Sequence, residues 1–223
     1  MNSSELNEAF RSGLGPDLSR KFSDDDVWRF ANEAYRDFVR FTDGIPDFTS
    51  DVTSVDLIPG ESVADLSPLI LRISRMTRRS DRGDVKIINH TDVDKMFDDD
   101  YGRPKTLFFD DTQGEVKYAV LGMEKNKVRW VYIPEAYDVV DMVIHRLPAT
   151  KITKDGQSLD EVEEQHHYAL LDRMNQLAAS TPMIGNAAGA EAYGRSFYEY
   201  CERVKSEMNR YKHKTRVVSY GGL

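Results

Sequence analysis

Apolar residues recur at helical spacing in the N-terminal quarter of the chain. This stretch begins after Ser23, a residue type that caps helices, and ends at Gly44 and Pro46. Its apolar positions are Val27, Trp28, Ala31, Ala34, Tyr35, Phe38 and Phe41. The pattern predicts a long amphipathic helix that starts with three aspartates, where the helix dipole favours negative charge. Residues 1–22, with scattered Gly and Pro, predict a loose arm with about one helical turn.

Helical spacing returns in the last third of the chain. A helix is predicted from Leu159 to just before Thr181-Pro182, and a longer one follows it. The apolar positions of the first are Val162, His166, Ala169, Leu170, Met174 and Leu177, and those of the second are Tyr193, Phe197, Tyr200, Val204, Met208 and Tyr211. Each buried Leu, Phe or Met contributes roughly 1.5–3 kcal/mol, so three such stripes can support a helical bundle.

From Asp51 to about Pro148 the period of the pattern changes to two, which indicates strands. "LILRISRM" places Leu69, Leu71 and Ile73 on one predicted face. Similar alternation occurs at Val116, Tyr118 and Val120, at Val128, Trp130 and Tyr132, and from Val139 to Leu147. "GMEKNK" predicts a hairpin turn, and Thr91–Phe97 predicts a short helix capped by Thr91. Short strands separated by Gly, Asn and Asp indicate antiparallel pairing.

These elements predict an α+β fold: a helical bundle built from N- and C-terminal helices, with an inserted antiparallel β domain and an extended C-terminal arm. The predicted divisions are 1–50 for the N-terminal arm and bundle helix, 51–150 for the β insertion, 151–211 for the C-terminal bundle helices and 212–223 for the C-terminal arm. This arm carries Lys212, Lys214 and Arg216 and no acidic residue, although the whole chain has a net charge of −8.

Composition narrows the classes of function. The 223 residues are 40% hydrophobic and 30% charged, as in ordinary soluble globular proteins. No apolar run approaches the ~18 residues of a membrane helix, and the N-terminus does not resemble a secretory signal. Cys201 is the only cysteine, which excludes an intrachain disulfide and predicts a buried, inert thiol. The negative charge argues against wrapping DNA, and we expect synthesis in the cytoplasm.

The string "EEQHHYALL" raises the possibility of a metal site. Glu163 and His167 are four residues apart and could share a metal ion on one helix face. A third ligand at motif spacing is absent, and the pattern is not HExxH. His166 falls on the apolar stripe with His167 beside it, so packing or a subunit interface is the preferred interpretation.

Other candidate chemistry is sparse. The acidic clusters at 23–26, 98–100 and 108–111 could bind Mg²⁺, but helix capping and solvated turns explain them better. "GLGPDL" and "GNAAGAEAYG" are not nucleotide-binding motifs, and no GK[ST] occurs. No nucleophile elbow marks a serine. The sequence therefore predicts no enzymatic activity, no cofactor and no metal.

The arginine stretch, residues 72–82 within "RISRMTRRSDRGD", is the densest positive patch. Nucleic-acid binding is one interpretation. Acidic residues follow at Asp81 and Asp84, so a salt-bridged surface or an interface to a neighbouring copy fits at least as well, and arginine is enriched at interfaces. The predicted inter-subunit residues are Arg72, Arg75, Arg78, Arg79, His166 and His167.

Several strings occur in a characteristic order: "NEAYRDFVRFTDGIPD", "LSPLILRI", "LGMEKNKVRWVYIP", "HRLP", "EEQHHYALLDRM" and "RVVSYGGL". In this arrangement, from about Trp28 to Leu223, the chain resembles the head-to-tail adaptor (connector) proteins of tailed bacteriophages, particularly short-tailed ones. "HRLP" alone is a weak signal, whereas the ordered set with the "YGGL" ending is fairly specific.

The resemblance implies a non-enzymatic virion protein without a cofactor, assembled in the bacterial cytoplasm and located in the neck. It implies a ring of twelve copies that binds the portal protein, extends the DNA channel and offers a platform to tail nozzle and tail fibre proteins. The genome would pass through without sequence-specific binding, and no membrane is involved. The alternatives are another tail or head-completion component, or a nucleic-acid-binding protein that uses the arginine stretch.

The resemblance also places the C-terminal arm against the portal. Val217 and Val218 favour an extended strand, and Tyr220 can act as an amphipathic anchor. Such an arm could add a strand to a partner's sheet. The predicted portal-binding residues are Lys212, Lys214, Arg216, Val217, Val218, Tyr220, Gly221 and Gly222. A frayed chain end is the alternative.

Overall fold

The computed structural model describes residues 1–92 and 112–213. It contains α-helices and a curled mixed sheet, which confirms the α+β class. The described residues fall into two compact units. The helical unit consists of Met1–Ile45 and the chain from Leu147 onward, and the strand unit lies within Pro46–Arg146.

The N-terminal segment is helical, so the predicted loose arm is wrong. Helix α1 spans Ser3–Leu14 and helix α2 spans Pro16–Ser19. A capping box begins α1, because the Asn2 side chain accepts a hydrogen bond from the Glu5 amide and the Glu5 side chain accepts one from the Asn2 amide. Leu6 and Phe10, four residues apart, are buried against the rest of the helical unit.

Helix α3 spans Asp24–Phe41 and confirms the helix predicted after Ser23. Ser23 caps it, since its hydroxyl accepts from the Asp26 amide and the Asp26 carboxylate accepts from the Ser23 amide. The buried positions are Val27, Trp28, Phe30, Ala31, Ala34, Tyr35, Phe38 and Val39. The buried face of α3 therefore agrees with the apolar stripe that the sequence predicts, except at Phe41, which is 37% exposed.

The C-terminal part of the chain forms two further described helices. Helix α4 spans His167–Ala179, preceded by a 3₁₀ turn at Glu164–His166, and helix α5 spans Ala187–His213. The predicted helix start at Leu159 is therefore too early, although Leu159 and Val162 are buried. Helix α4 contacts α1, α3 and α5.

The strands of the sheets are β1 (Ile45–Asp47), β2 (Ser54–Leu57), β3 (Val63–Asp65), β4 (Ile70–Arg78), β5 (Asp84–Asn89), β6 (Gln113–Gly114), β7 (Tyr118–Leu121), β8 (Lys127–Trp130), β9 (Ile133–Pro134) and β10 (Asp138–Arg146). The main sheet has the order β1-β10-β4-β5-β7-β8-β3, and β2 also pairs with β10. Strands β6 and β9 pair separately.

The predicted all-antiparallel pairing is wrong at β5–β7 and β6–β9, which are parallel. Parallel neighbours need a long crossover connection, and the chain from residue 90 to residue 117 supplies one between β5 and β7. The hairpin at "GMEKNK" is confirmed, because β7 and β8 are antiparallel with Leu121 opposite Val128. The part of the predicted Thr91–Phe97 helix beyond Asp92 lies outside the described residues, and a 3₁₀ turn covers His90–Asp92.

Strand β4 departs from simple alternation. Its register against β10 shifts between Val143 and Ile144 and again between His145 and Arg146. Each shift leaves a β4 residue without an opposite partner and reverses the side on which later residues lie. As a result Ile73 is buried but Leu71 is 39% exposed, so the predicted shared face of Leu69, Leu71 and Ile73 is wrong.

The core of the strand unit lies on the inner side of the curled sheet. Its largest fully buried side chains are Trp130, Met76 and Ile144. Val116, Ala119 and Val128 complete the packing from β7, β8 and the segment before them. Ile88 and Val120 form a smaller cluster with Tyr118 and Val131.

Candidate assembly surfaces

Three arginines of the arginine stretch, Arg75, Arg78 and Arg79, pair with acids of their own unit. Arg75 Nη2 lies 2.7 Å from Asp84 Oδ1. Arg79, the residue after β4, donates from Nε to Asp141 Oδ2 on β10 at 3.1 Å. Arg75 and Asp84 lie on the neighbouring strands β4 and β5, and Asp141 lies on β10 opposite Thr77, close to the end of β4, so both pairs follow from the fold.

Arg78 is the most enclosed arginine of the stretch. Its Nη2 donates to Asp81 Oδ2 at 2.6 Å and also to Glu115 Oε1. Hydrogen bonds from Lys117 and from Arg78 hold the pKa of Glu115 below its ordinary value. Nucleic-acid binding requires Lys and Arg side chains that can neutralise phosphates, and Arg75, Arg78 and Arg79 are already paired with carboxylates. The arrangement favours the salt-bridged interpretation over nucleic-acid binding.

Arg72 completes the predicted set on this strand. Its Nη2 lies 3.1 Å from His145 Nε2 on β10. Its exposed side chain shares β4 with the exposed Leu71 and Arg75. The inter-subunit role of Arg72, Arg75, Arg78 and Arg79 stays a prediction.

His166 and His167 make different contacts. His166 Nδ1 lies 2.9 Å from the Tyr200 hydroxyl, and its ring centroid is 5.3 Å from that of Phe38. Burial lowers the pKa of His166. His167 is 4% exposed, and its Nε2 lies 2.9 Å from the Val162 carbonyl oxygen. The packing interpretation is thus supported for both histidines.

No cluster of His, Cys, Asp or Glu able to hold a metal ion occurs within residues 1–92 and 112–213. The acidic cluster at 23–26 has the capping role described above for α3, and the clusters at 98–100 and 108–111 lie outside the described residues. In the described part of the chain, no helix is long and apolar enough to cross a membrane.

A cleft of about 460 Å³ lies in the helical unit between the start of α1 and the segment before α4. We call it the acidic cleft, because Glu5, Asp160, Glu163 and Glu164 line it together with His167. The Met1 ammonium is 2.9 Å from Glu164 Oε1, and this contact lowers the pKa of Glu164. Sequence reasoning missed the cleft, because residue 5 meets residues 160–164 only in the folded chain.

Large apolar side chains are exposed on both units. In the strand unit Phe48 is 73% and Tyr137 is 64% exposed, and the Tyr137 hydroxyl donates to Asp56 Oδ1 at 2.9 Å. In the helical unit Tyr168 is 72% exposed. Single exposed apolar residues are common on protein surfaces, whereas side chains of this size are also the usual anchors of protein interfaces.

Helix α5 carries a buried stripe on its described side chains. Its buried residues include Ala190, Phe197, Cys201 and Val204. Cys201 is buried as predicted, and burial raises the pKa of its thiol to about 12.

The beginning of the predicted C-terminal arm is helical, because Lys212 lies within α5. Lys214, Arg216, Val217, Val218, Tyr220, Gly221 and Gly222 lie outside the described residues.

Within the described residues, charged side chains thus form ion pairs and helix caps, and several large apolar side chains are exposed. A family model described as SU10 adaptor protein matches residues 1–218, and the chain belongs to this family. It is a phage adaptor, a structural component of the virion, as the resemblance implied. No curated protein matches the chain.

Proposed function

We propose that this adaptor is a head-to-tail connector, which forms a ring of twelve copies joining the portal to the tail. The observation that carries this proposal is the family match over residues 1–218. The ring would extend the DNA channel and bind tail nozzle and tail fibre proteins. A net charge of −8 supports passage of the genome without specific binding, because negative charge in the lumen would repel DNA phosphates.

A ring requires a heterologous interface, in which one surface of a subunit binds a different surface of the next. The helices of residues 1–50 and 151–211 would form the bundle of each subunit, and the insertion 51–150 would give tail proteins a surface to bind. Exposed arginines such as Arg75 and Arg79, and exposed aromatic residues such as Tyr137, have the composition of protein interfaces. They support, for the strand unit, a role in contacts with other subunits or tail proteins.

The C-terminal arm, residues 212–223, would dock on the portal. Its β-branched Val217 and Val218 suit addition of a strand to a sheet, and Gly221 and Gly222 allow close backbone approach. Segments of this kind commonly order only when they bind.

Co-sedimentation with purified portal rings tests the proposal. We expect the chain to sediment with the portal, and deletion of residues 217–223 to abolish this binding. A matched control replaces the same seven residues by a Gly/Ser segment of equal length, which should fail like the deletion. Undiminished binding of the deletion variant would refute the portal contact of the arm. A chain that enters virions without binding the portal would instead be another tail or head-completion component.

A further inference from the structure

We propose that the strand unit binds an extended, acidic segment of a tail protein in a groove along strand β4. This β4 groove is bordered by residues 70–76 of β4 on one side, and by residues 84–88 of β5 and 121–127 of the β7–β8 hairpin on the other. The inference deepens the proposed function and rests on it, because it names the chemistry by which a tail protein binds the strand unit.

Strand β4 has an open edge over most of its length. It pairs with β10 along its whole length, but with β5 only at Met76 and Thr77. Beyond that point β5 pairs with β7 instead, through residues 86–89. Among the described residues, the stretch 70–75 of β4 therefore has a neighbouring strand on one side only. Such an edge presents backbone N–H and C=O groups that can pair with an added strand.

Two clefts adjoin along this edge. One, of about 480 Å³, is lined by residues 74–76 and 84–88 and lies where β4 and β5 separate. The other, of about 270 Å³, is lined by residues 70–73 together with the β7–β8 hairpin. The two clefts together follow residues 70–76 of β4, a length of about 20 Å at about 3.3 Å per residue. The β4 groove is therefore long enough for an extended segment of about six residues.

Apolar side chains line the β4 groove on both sides. Leu71 is 39% exposed, because the register shifts of β4 turn it away from the core, and a β-bulge commonly redirects a side chain in this way. Ile87 and Leu121 stand on the opposite side and are only partly buried. A bound strand with apolar side chains at alternate positions would cover these residues, which favours binding.

The lining of the β4 groove is positively charged, although the whole chain carries −8. Five cations and two carboxylates give it a net charge of +3: Arg72, Arg75, Lys86, Lys125 and Lys127 against Asp84 and Glu124. Arg75 pairs with Asp84, and Lys127 pairs with Glu124. Lys86 and Lys125 are exposed and form no ion pair with a carboxylate of the described residues. These two ammonium groups can pair with carboxylates of a bound segment, so the groove favours an acidic occupant.

A tail protein fits the β4 groove better than a second copy of this chain does. Strands β1 and β3, which end the main sheet, have three residues each, about half the length of the groove. Strand β4 of a second copy would bring Arg72 and Arg75 against the same two arginines, and like charges oppose strand pairing. Under the proposed function the C-terminal arm binds the portal, which leaves the groove to a segment of a tail protein.

Binding of a synthetic peptide tests the β4 groove directly. The probe is a fluorescent peptide of about eight residues in which valine and glutamate alternate, and anisotropy follows its binding to the full chain. We expect saturable binding. The same peptide with every amide nitrogen methylated should bind at least about tenfold more weakly, because it cannot donate hydrogen bonds to β4. A peptide with lysine in place of glutamate should lose at least as much, because the groove would repel it.

Two variants of the chain locate the binding. Lys86→Glu with Lys125→Glu should weaken binding of the valine–glutamate peptide at least about tenfold. The matched control, Lys151→Glu with Lys154→Glu, makes the same change of charge at exposed positions of the helical unit and should stay within about twofold of wild type.

Several outcomes would overturn the proposal. Equal losses in the two variants would reveal an unspecific charge effect. Equal binding of the methylated peptide would exclude strand pairing, and a wild-type chain that binds no valine–glutamate peptide would exclude the groove as a site for such segments. Displacement of the peptide by single-stranded DNA at equal concentration would reassign the groove to nucleic acid.

Assembly on portal separates this inference from the proposed function. The Lys86→Glu, Lys125→Glu variant should form rings on portal as the wild type does, whereas binding of purified tail nozzle or tail fibre protein to these rings should fall at least about tenfold. Unchanged binding of both tail proteins would overturn the groove contact and leave the proposed ring intact. A wild-type chain that forms no ring on portal would refute the proposed function itself, and the peptide measurement would still decide whether the groove binds an acidic strand.

Discussion

Arg173 on α4 donates from Nε at 2.9 Å and from Nη2 at 2.6 Å to the same oxygen, Oδ2, of Asp37 on α3. The side chains are 14% and 15% exposed. The Arg173 guanidinium carbon also lies 5.8 Å from the centre of the Phe197 ring on α5. One side chain therefore connects three helices of the helical unit.

Loss of this link should destabilise the chain. We expect Arg173→Met to cost about 2 kcal/mol of unfolding free energy, because it leaves a largely buried Asp37 carboxylate without its cation. Asp37→Asn should cost less, since the amide oxygen can still accept a hydrogen bond. Urea unfolding measures both, and the double variant gives the coupling between the residues. A coupling near zero would show that the ion pair contributes nothing to stability.

The buried ion pair Asp47–Arg146 should make stability depend on acid. Burial acts to raise the pKa of Asp47, but hydrogen bonds from Ser50, Thr49 and Arg146 outweigh it and hold that pKa well below its ordinary range. Such a carboxylate contributes stability above its unfolded pKa of about 3.9, and this contribution is lost as pH falls through lower values. The stability difference between wild type and Asp47→Asn should therefore shrink below about pH 4. Urea unfolding at a series of pH values measures this difference. If the unfolding free energies of the two proteins differed by the same amount at every pH, the prediction would be contradicted.

Helix α1 should be an integral part of the helical unit. Phe10 is 1% exposed, and its ring centroid lies 6.4 Å from that of Phe22 and 6.2 Å from that of Phe30. Phe10→Ala should cost about 3 kcal/mol in urea unfolding, as expected for a large-to-small change in a packed core. Glu8→Ala, at an exposed position of the same helix, should stay within about 0.5 kcal/mol. If the N-terminal segment were a loose arm, both substitutions would change the unfolding free energy by a similarly small amount, which would contradict this prediction.

The thiol of Cys201 should be protected from modification in the folded chain. A pKa raised to about 12 leaves roughly one thiol in ten thousand as the reactive thiolate at pH 8, and the side chain is also buried. We expect slow reaction with a thiol reagent in buffer and complete reaction in concentrated urea. Rapid reaction without denaturant would show that α5 opens readily from the helical unit.

Local signals explain which elements the sequence predicts well. The α3 helix has a cap at Ser23, acids in its first turn and an apolar stripe, and all three signals indicate a helix that begins after Ser23. The β7–β8 hairpin has Gly122 and Asn126 at positive φ, a conformation that these residue types adopt readily. The capping box of Asn2 and Glu5 is an equally local signal, which the prediction of a loose arm, based on the scattered Gly and Pro of residues 1–22, did not take into account.

Features that depend on distant neighbours were not predictable in this way. The register shifts of β4 are defined against β10, more than sixty residues later in the chain. The parallel pairing of β5 with β7 depends on how the connection crosses, which no local pattern encodes. The acidic cleft joins Glu5 to residues 160–164, and the orphan Nδ1 of His167 appears only once the segment before α4 has folded.

The central claim, that this adaptor forms a ring between portal and tail, is tested most directly by cryo-electron microscopy of purified portal mixed with the chain. We predict a continuous ring of twelve adaptor subunits on one end of the portal, coaxial with its channel. Portal particles without added density, at a chain concentration well above that of the portal, would contradict the account.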